Sequence, residues 1–283
     1  MINNRILVTG SNGFIGNSLL EALSSEKKYI IKGIDQPNFS NQDWIIDLEE
    51  ILNSFVPEVI FHVGACANTL ESDIQYMFET NYQSTKLLAD WAKANRAKFI
   101  NSSSAANYGT NGEYPSNLYG WSKYAAEGYA KLIGGVNLRY FNVYGPGESK
   151  KGKMASIFFQ GYIKNRESLQ IELFPGSPRR DFVYIKDVIS ANFYALKFYE
   201  AFSGNIFEVG SGKASAFEEG LNHMGVSFKY SEVEKIPKGY QFLTESKPSK
   251  WMPGWAPLYS LEKGCREYKS RLDSQFHLKR SQK

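Results

Sequence analysis

Ile6-Leu7-Val8-Thr9-Gly10-Ser11-Asn12-Gly13-Phe14-Ile15-Gly16 decides how this chain is read. Three apolar strand-formers run into a glycine-rich turn, and the turn opens an amphipathic stretch over Phe14–Leu23. Glycines at such a junction allow a tight turn, close approach of backbone to a pyrophosphate, and close helix packing. The helix that follows offers its first N–H groups and the positive end of its dipole to phosphate. The spacing is G-x-x-G-x-x-G, and Gly10, Asn12, Gly13, Phe14, Ile15 and Gly16 are the expected dinucleotide contacts. A plain turn would use the same glycines. Their place between the first strand and the first helix favours the phosphate loop.

Tyr29–Ile34 reads as the second strand, and Asp35 closes it, where a carboxylate accepts from a ribose 2′-OH; a turn or cap role is the alternative. No Arg or Lys lies between Gln36 and Asp43 to meet a 2′-phosphate, so NAD is expected over NADP, with Lys32 a poorly placed exception. Asp47, followed by Leu48, is a candidate acceptor for an adenine amino group or else a helix cap. Further strands are expected at Val59–Phe61, Lys98–Ile100 and Val136–Phe141. Helical patterns lie between them, at Ile74–Asn95 and Ser122–Leu132. Such alternation implies right-handed βαβ units and a parallel sheet. From Gly145 the alternation breaks into Gly/Pro clusters. The expected fold is α/β: a Rossmann-type doubly wound parallel sheet with a smaller C-terminal substrate-binding lobe. Residues 1–145 form the dinucleotide domain, parts of 178–210 return to its sheet, and 146–283 form mainly the lobe.

The 283 residues are 42% hydrophobic and 22% charged, which excludes wholesale disorder. No run approaches the ~20 apolar residues of a membrane span, and no charged segment leads into an apolar signal stretch. Cys66 and Cys265 lack any CxxC or His pattern, so a reducing compartment, the cytoplasm, is expected and a metal site is not. Of the net charge of +4, the last 21 residues contribute seven basic against two acidic side chains, so the basicity belongs to the tail. A solvated charged end is not a nucleic-acid groove, and nucleic acid is not an expected partner.

Tyr119 and Lys123 stand four apart, on one face of a helix. An ammonium beside a phenol favours the phenolate and draws its pKa toward the range of a general base. That spacing alone is common and usually structural. The run Ser102-Ser103-Ser104 at the end of a strand adds a hydroxyl able to bond the same substrate oxygen.

With these motifs on the page, the sequence resembles the extended short-chain dehydrogenase/reductase family of NAD-dependent epimerases and dehydratases. The likeness is carried by the glycine trio, Ser104-Ala-Ala-Asn-Tyr108-Gly109 and Tyr119-x-x-x-Lys123. It is extended by Arg139-Tyr140-Phe141-Asn142-Val143-Tyr144-Gly145-Pro146 and Arg180-Asp181-Phe182-Val183-Tyr184. Phe61-His62-Val63-Gly64-Ala65-Cys66, Asn81-Tyr82-Gln83-Ser84, Lys151-Gly152-Lys153-Met154-Ala155-Ser156 and Gly239-Tyr240-Gln241 resemble its nucleotide-heptose 6-epimerases. The resemblance implies a nucleotide-sugar substrate, a tightly held nicotinamide and a homo-oligomer. It implies Ser104 and Tyr119 at the oxidised carbinol, with Lys123 tuning Tyr119 and holding the nicotinamide ribose. Lys151 matches a second acid/base lysine, and Asn142, Arg180 and Tyr240 match substrate-binding positions. Val63, Gly64, Ala65, Asn81, Ser102, Tyr140, Asn142 and Val143 match positions around the cofactor.

The chain also departs from that pattern: the loop before Asp47 is short, and only 15 positions separate Ser104 from Tyr119. Other activities stay open. A 4,6-dehydratase would carry an Asp-Glu pair after the catalytic Ser or Thr, where this chain has Ala105-Ala106. A UDP-sugar 4-epimerase would use Ser104, Tyr119 and Lys123 equally well. A non-catalytic NAD-binding protein would need no Tyr/Lys pair. His62 is expected to be a satisfied strand-end histidine, and Cys66 a packed small residue.

Overall fold

The computed structural model of the chain describes residues 4–35, 44–110, 112–236 and 240–281, with backbone alone at 45 and 277–281. The chain folds into two compact units, the first built from residues up to 140 with 189–208 and 252–255, the second from the rest.

In the first unit, β1 (Asn4–Thr9), β2 (Tyr29–Ile34), β3 (Val59–His62), β4 (Lys98–Ser104) and β5 (Val136–Tyr140) alternate with helices. These are α1 (Phe14–Ser25), α2 (Trp44–Phe55), α3 (Ile74–Phe78), α4 (Ser84–Ala94) and α5 (Leu118–Leu132). The six-stranded parallel sheet runs β2-β1-β3-β4-β5 and closes with a later strand, Ile206–Val209. Ile6 pairs with both Ile31 and Val59, so β1 lies between its two sequence successors. The chain therefore reverses direction across the sheet after β2. The loops that follow β1 and β3 part there, which is where open parallel sheets bind ligands. Leu7, Leu52, Ile60, Leu88, Phe99 and Ala130 pack into one core with Trp44 and Leu48. Each large side chain fully withdrawn from water there contributes roughly 1.5–3 kcal/mol.

Two departures from the sequence pattern matter for function. The helical period over Ile74–Asn95 is broken by a π-helical turn, Glu79–Gln83, between α3 and α4. The turn inserts an extra residue into the helical register, and its reason is Asn81, whose side chain bonds both backbone groups of Cys66. The strand expected over Val136–Phe141 ends at Tyr140, and β6 (Asn142–Tyr144) is a separate strand of the second unit.

That unit continues with α6 (Ile157–Arg166), β7 (Ile171–Leu173), β8 (Arg179–Tyr184) and α7 (Ile185–Lys197), the last running on into the first unit. After the short α8 (Tyr199–Phe202) and β9 (Ile206–Val209) come β10 (Ala214–Ala216), α9 (Phe217–His223), β11 (Phe228–Tyr230), β12 (Leu243–Thr244) and α10 (Leu261–Ser281). β8 is the centre of a small sheet, with β6 and β12 parallel to it and β10 antiparallel. Buried Asp181 on β8 accepts from the amides of Ser211, Gly212 and Ser246, which ties two loops to one carboxylate. An aromatic cluster fills the core, with Phe158 at 5.1 Å from Tyr144 and 4.5 Å from Phe182 between ring centroids. The C-terminal stretch, for which the sequence offers no motif, is the helix α10, and its Cys265 and Tyr268 are buried.

Candidate active site

The turn after β1 has the geometry of a phosphate loop. Gly10 sits at φ +67°, and a Cβ there would fall 2.7 Å from the Cα of Gly64, the residue two past β3. A Cβ on Gly16 would lie 2.0 Å from the Gly10 carbonyl oxygen, so α1 approaches the turn as closely as only glycine permits. Gly13 is the N-cap of α1 and no side chain caps that end, while Phe14 is buried and Ile15 half-buried beneath it. Asp35 lies at the end of β2 and its carboxylate accepts from the Asn12 amide at 2.7 Å. Lys32 lies over the Phe55 ring at 5.8 Å. The stretch Gln36–Asp43 lies outside the described residues.

Behind the loop runs a directed chain of hydrogen bonds. The Val63 and Gly64 amides donate to Thr9 Oγ1 at 3.1 and 3.0 Å, and Thr9 donates to His62 Nδ1 at 2.8 Å. His62 Nε2–H donates to Thr85 Oγ1 at 2.9 Å, and Thr85 donates to the Asn81 carbonyl at 2.7 Å. The tautomer follows from these partners, since Thr85 spends its only proton on the carbonyl. Burial holds the imidazole neutral, with its pKa pushed down to about 3 and Lys123 adding to the effect. His62 is the satisfied strand-end histidine that was expected.

The reactive pair stands where β4 meets α5. Ser104 ends β4, the Asn117 side chain caps α5 by accepting from the Gly120 amide at 2.8 Å, and Tyr119 lies in its first turn. The Ser104 hydroxyl lies beside the Tyr119 phenol and favours its ionised form. One turn on, Lys123 is buried, and one turn further Glu127 is buried too. Glu127 takes a two-point ion pair from Arg139 at 2.6 Å on each oxygen, and a hydrogen bond from Ser103 at 2.7 Å. Burial draws the Lys123 ammonium down to about 8, while Glu127 opposes the shift. The net shift of the phenol runs opposite to the expected one, and burial is its cause. Burial pushes the Tyr119 phenol up, the Ser104 hydrogen bond offsets part of the rise, and the nearby Cys66 thiol adds to it. Tyr119 therefore keeps its proton at neutral pH.

In the second unit, Lys151 is half-buried while its neighbours Lys150 and Lys153 are exposed. Beside it Glu148 is wholly buried. Arg180 is buried on β8, its guanidinium 5.2 Å from the Tyr240 ring and 5.7 Å from Phe217. Among the described residues no carboxylate pairs with Arg180, so it is a desolvated cation walled by aromatic rings. Tyr240 packs edge-on against Phe174 and Phe242. Asn142 is exposed on β6, and Val143 is buried.

Several expected cofactor contacts have other work. Leu48 packs in the hydrophobic core, and Asp47 lies inside the first turn of α2 and is not its cap. Asn81 is wholly buried, bonded to Cys66 and Ser122, and Ser122 in turn donates to the Tyr119 carbonyl at 2.7 Å. Asn81 thus braces α5 through Ser122. Ser102 and Tyr140 are buried together, with Tyr140 also bonded to Asn192. Val63, Gly64 and Ala65 follow β3, partly exposed at the switch point. Sequence reasoning missed Glu127 and Glu148. The signal for Glu127 was there in the four-residue repeat of Tyr119, Lys123 and Glu127 along one helix face.

A sequence profile of the NAD dependent epimerase/dehydratase family matches residues 6–210. This chain belongs to that family. It is 33% identical to an ADP-L-glycero-D-manno-heptose-6-epimerase of Alkalilimnicola ehrlichii, over 93% of this chain and 96% of the relative. Among solved structures, the ADP-L-glycero-D-manno-heptose-6-epimerase of Helicobacter pylori superposes with a TM-score of 0.82 at 27% identity, covering 96% of this chain and 97% of that one. The UDP-glucose 4-epimerase of Thermotoga maritima, solved with UDP-glucose, gives a TM-score of 0.82 at 25% identity, covering 96% and 99%.

As a family member the protein is an NAD-dependent enzyme, and its first unit fits that cofactor. The Gly10–Gly64 contact and the uncapped start of α1 leave backbone, not side chain, facing the phosphate position. At the end of β2, the Asp35 carboxylate would accept from a ribose 2′-OH and repel a 2′-phosphate. NAD is expected to bind more tightly than NADP by ~1–3 kcal/mol, the cost of setting a 2′-phosphate against the Asp35 carboxylate. Calorimetric titration of cofactor-free protein with both nucleotides checks this, and tighter NADP binding contradicts it. Among the described residues no group of His, Cys, Asp and Glu could hold a metal ion, and no helix is long and apolar enough to cross a membrane.

Proposed function

We propose that the protein is a nucleotide-sugar epimerase acting on the exocyclic carbinol of a nucleotide-linked heptose. Bound NAD supplies reversible hydride acceptance at the reacting carbon. Tyr119, with Ser104 sharing the substrate oxygen, takes and returns the hydroxyl proton on one side. Lys123 keeps a cation behind the phenol, and Glu127 with Arg139 holds that lysine in place. Arg180, desolvated and, among the described residues, without a carboxylate partner, suits a substrate diphosphate, and Tyr240 gives it a wall. The Ala105-Ala106 pair after Ser104 offers neither acid nor base for water elimination.

The observation that carries the exocyclic assignment is Lys151, drawn into partial burial beside a buried carboxylate while Lys150 and Lys153 stay in solvent. After oxidation, a ketone outside the ring rotates about its exocyclic bond and presents its other face. Its oxygen then lies away from Tyr119 and needs a second proton donor, a role for which Lys151 is suited. The test is proton NMR of ADP-linked heptose incubated with the enzyme, where interconversion at C6 is expected. Interconversion of UDP-glucose and UDP-galactose with none of the heptose overturns the assignment.

A further inference from the structure

We propose that Glu148 is the positioning residue of Lys151: a wholly buried carboxylate bonded across the loop that carries the lysine, fixing that loop and supplying the negative charge beside the ammonium. This rests on Lys151 as the second proton donor. The Ser156 amide and hydroxyl donate to the two Glu148 oxygens at 2.7 Å each, and the Gly145 amide makes a long 3.5 Å contact. One side chain therefore spans residues 145–156, with Lys151 in the middle. Burying a carboxylate is unfavourable unless donors and a cation compensate it. The donors are those of Ser156, and the facing cation is Lys151. From α10, Tyr268 and Cys265 also face Glu148, and both stay neutral: burial pushes the thiol up to about 12 and the phenol further still. The coupling is mutual. Burial lowers the Lys151 pKa and Glu148 raises it, so the carboxylate favours the protonated form that burial disfavours.

Glu148→Gln keeps the length and one acceptor while deleting the charge. The Lys151 pKa then falls, and the neutral amine fraction grows at any pH below it. Acylation of Lys151 by acetic anhydride, followed against pH by peptide mass spectrometry of the full-length protein, is expected to show its midpoint moved down by about one pH unit, a tenfold rise in rate at neutral pH. Epimerisation is expected to fall about tenfold at pH 8 and to recover in part at lower pH, with bound NAD unchanged. Glu148→Asp, which keeps the charge, is expected to return the midpoint toward wild type. An unchanged midpoint in Glu148→Gln overturns the proposal. A shifted midpoint with unaltered turnover upholds the Glu148–Lys151 pairing and removes Lys151 from the reaction, so that only the earlier assignment fails. If Glu148→Gln does not fold, Lys151→Met reads the pair from the other side. A protonated-carboxyl infrared band absent from wild type is then expected at neutral pH, and its absence overturns the pairing.

Discussion

Tyr119→Phe is expected to lower epimerisation by at least ~10²-fold while bound NAD and fold are retained. The substitution removes one hydroxyl. Its partner Ser104 still accepts from the Ala106 amide at 3.1 Å and is partly exposed, so no buried polar group is orphaned. The stability change should stay near ~1 kcal/mol or below, as for an ordinary exchange of one hydrogen bond. The chemical loss is large because Ser104 has a hydroxyl of ordinary acidity and Lys123 lies behind the phenol, so no other described side chain of the first unit takes over the proton. Steady-state assays and melting curves on the same preparation check both halves of the expectation. A variant that keeps most of its activity would mean that the acid/base is elsewhere, and the roles of Ser104 and Lys123 would fall with it.

Lys151→Met separates an epimerase working outside the ring from one working at C4. Methionine retains the apolar stem and approximate length of the lysine but not its ammonium. Overall turnover is expected to fall by at least ~10²-fold, the contribution of a lost acid/base group, with cofactor retained. The loss should be asymmetric. In single turnovers followed by nicotinamide absorbance, the epimer whose hydroxyl is served by Tyr119 should still be oxidised, and the other should not. A C4 epimerase turns the whole sugar and returns the same oxygen to the same tyrosine. Near wild-type turnover in Lys151→Met would therefore move the assignment to the C4 reaction, which Ser104, Tyr119 and Lys123 would serve unchanged.

What could be read before folding was whatever depends on neighbours in the chain. The strand–glycine–helix junction at Ile6–Gly16 is local, and three glycines in that register leave few other structures to build. Tyr119 and Lys123 share a face because the helix period places them there, and Ser104 lies at a strand end because the pattern stops there. The π turn at Glu79–Gln83 was hidden, because it answers to Cys66, fifteen residues away, and not to its own helix.

The sequence by itself determined the parallel sheet, the strand–glycine–helix turn and the placing of Ser104, Tyr119 and Lys123 at a strand end and on one helix face. Only the tertiary structure decided that Leu48 is core and that Asn81, Ser102 and Tyr140 are internal supports. It also decided that Tyr119 is pushed up where its lysine was expected to draw it down, and that Glu148 stands buried beside Lys151. The physical reason is the range of each effect. Strand and helix spacing is set within a few residues, whereas desolvation and charge compensation depend on which distant groups exclude water from a side chain.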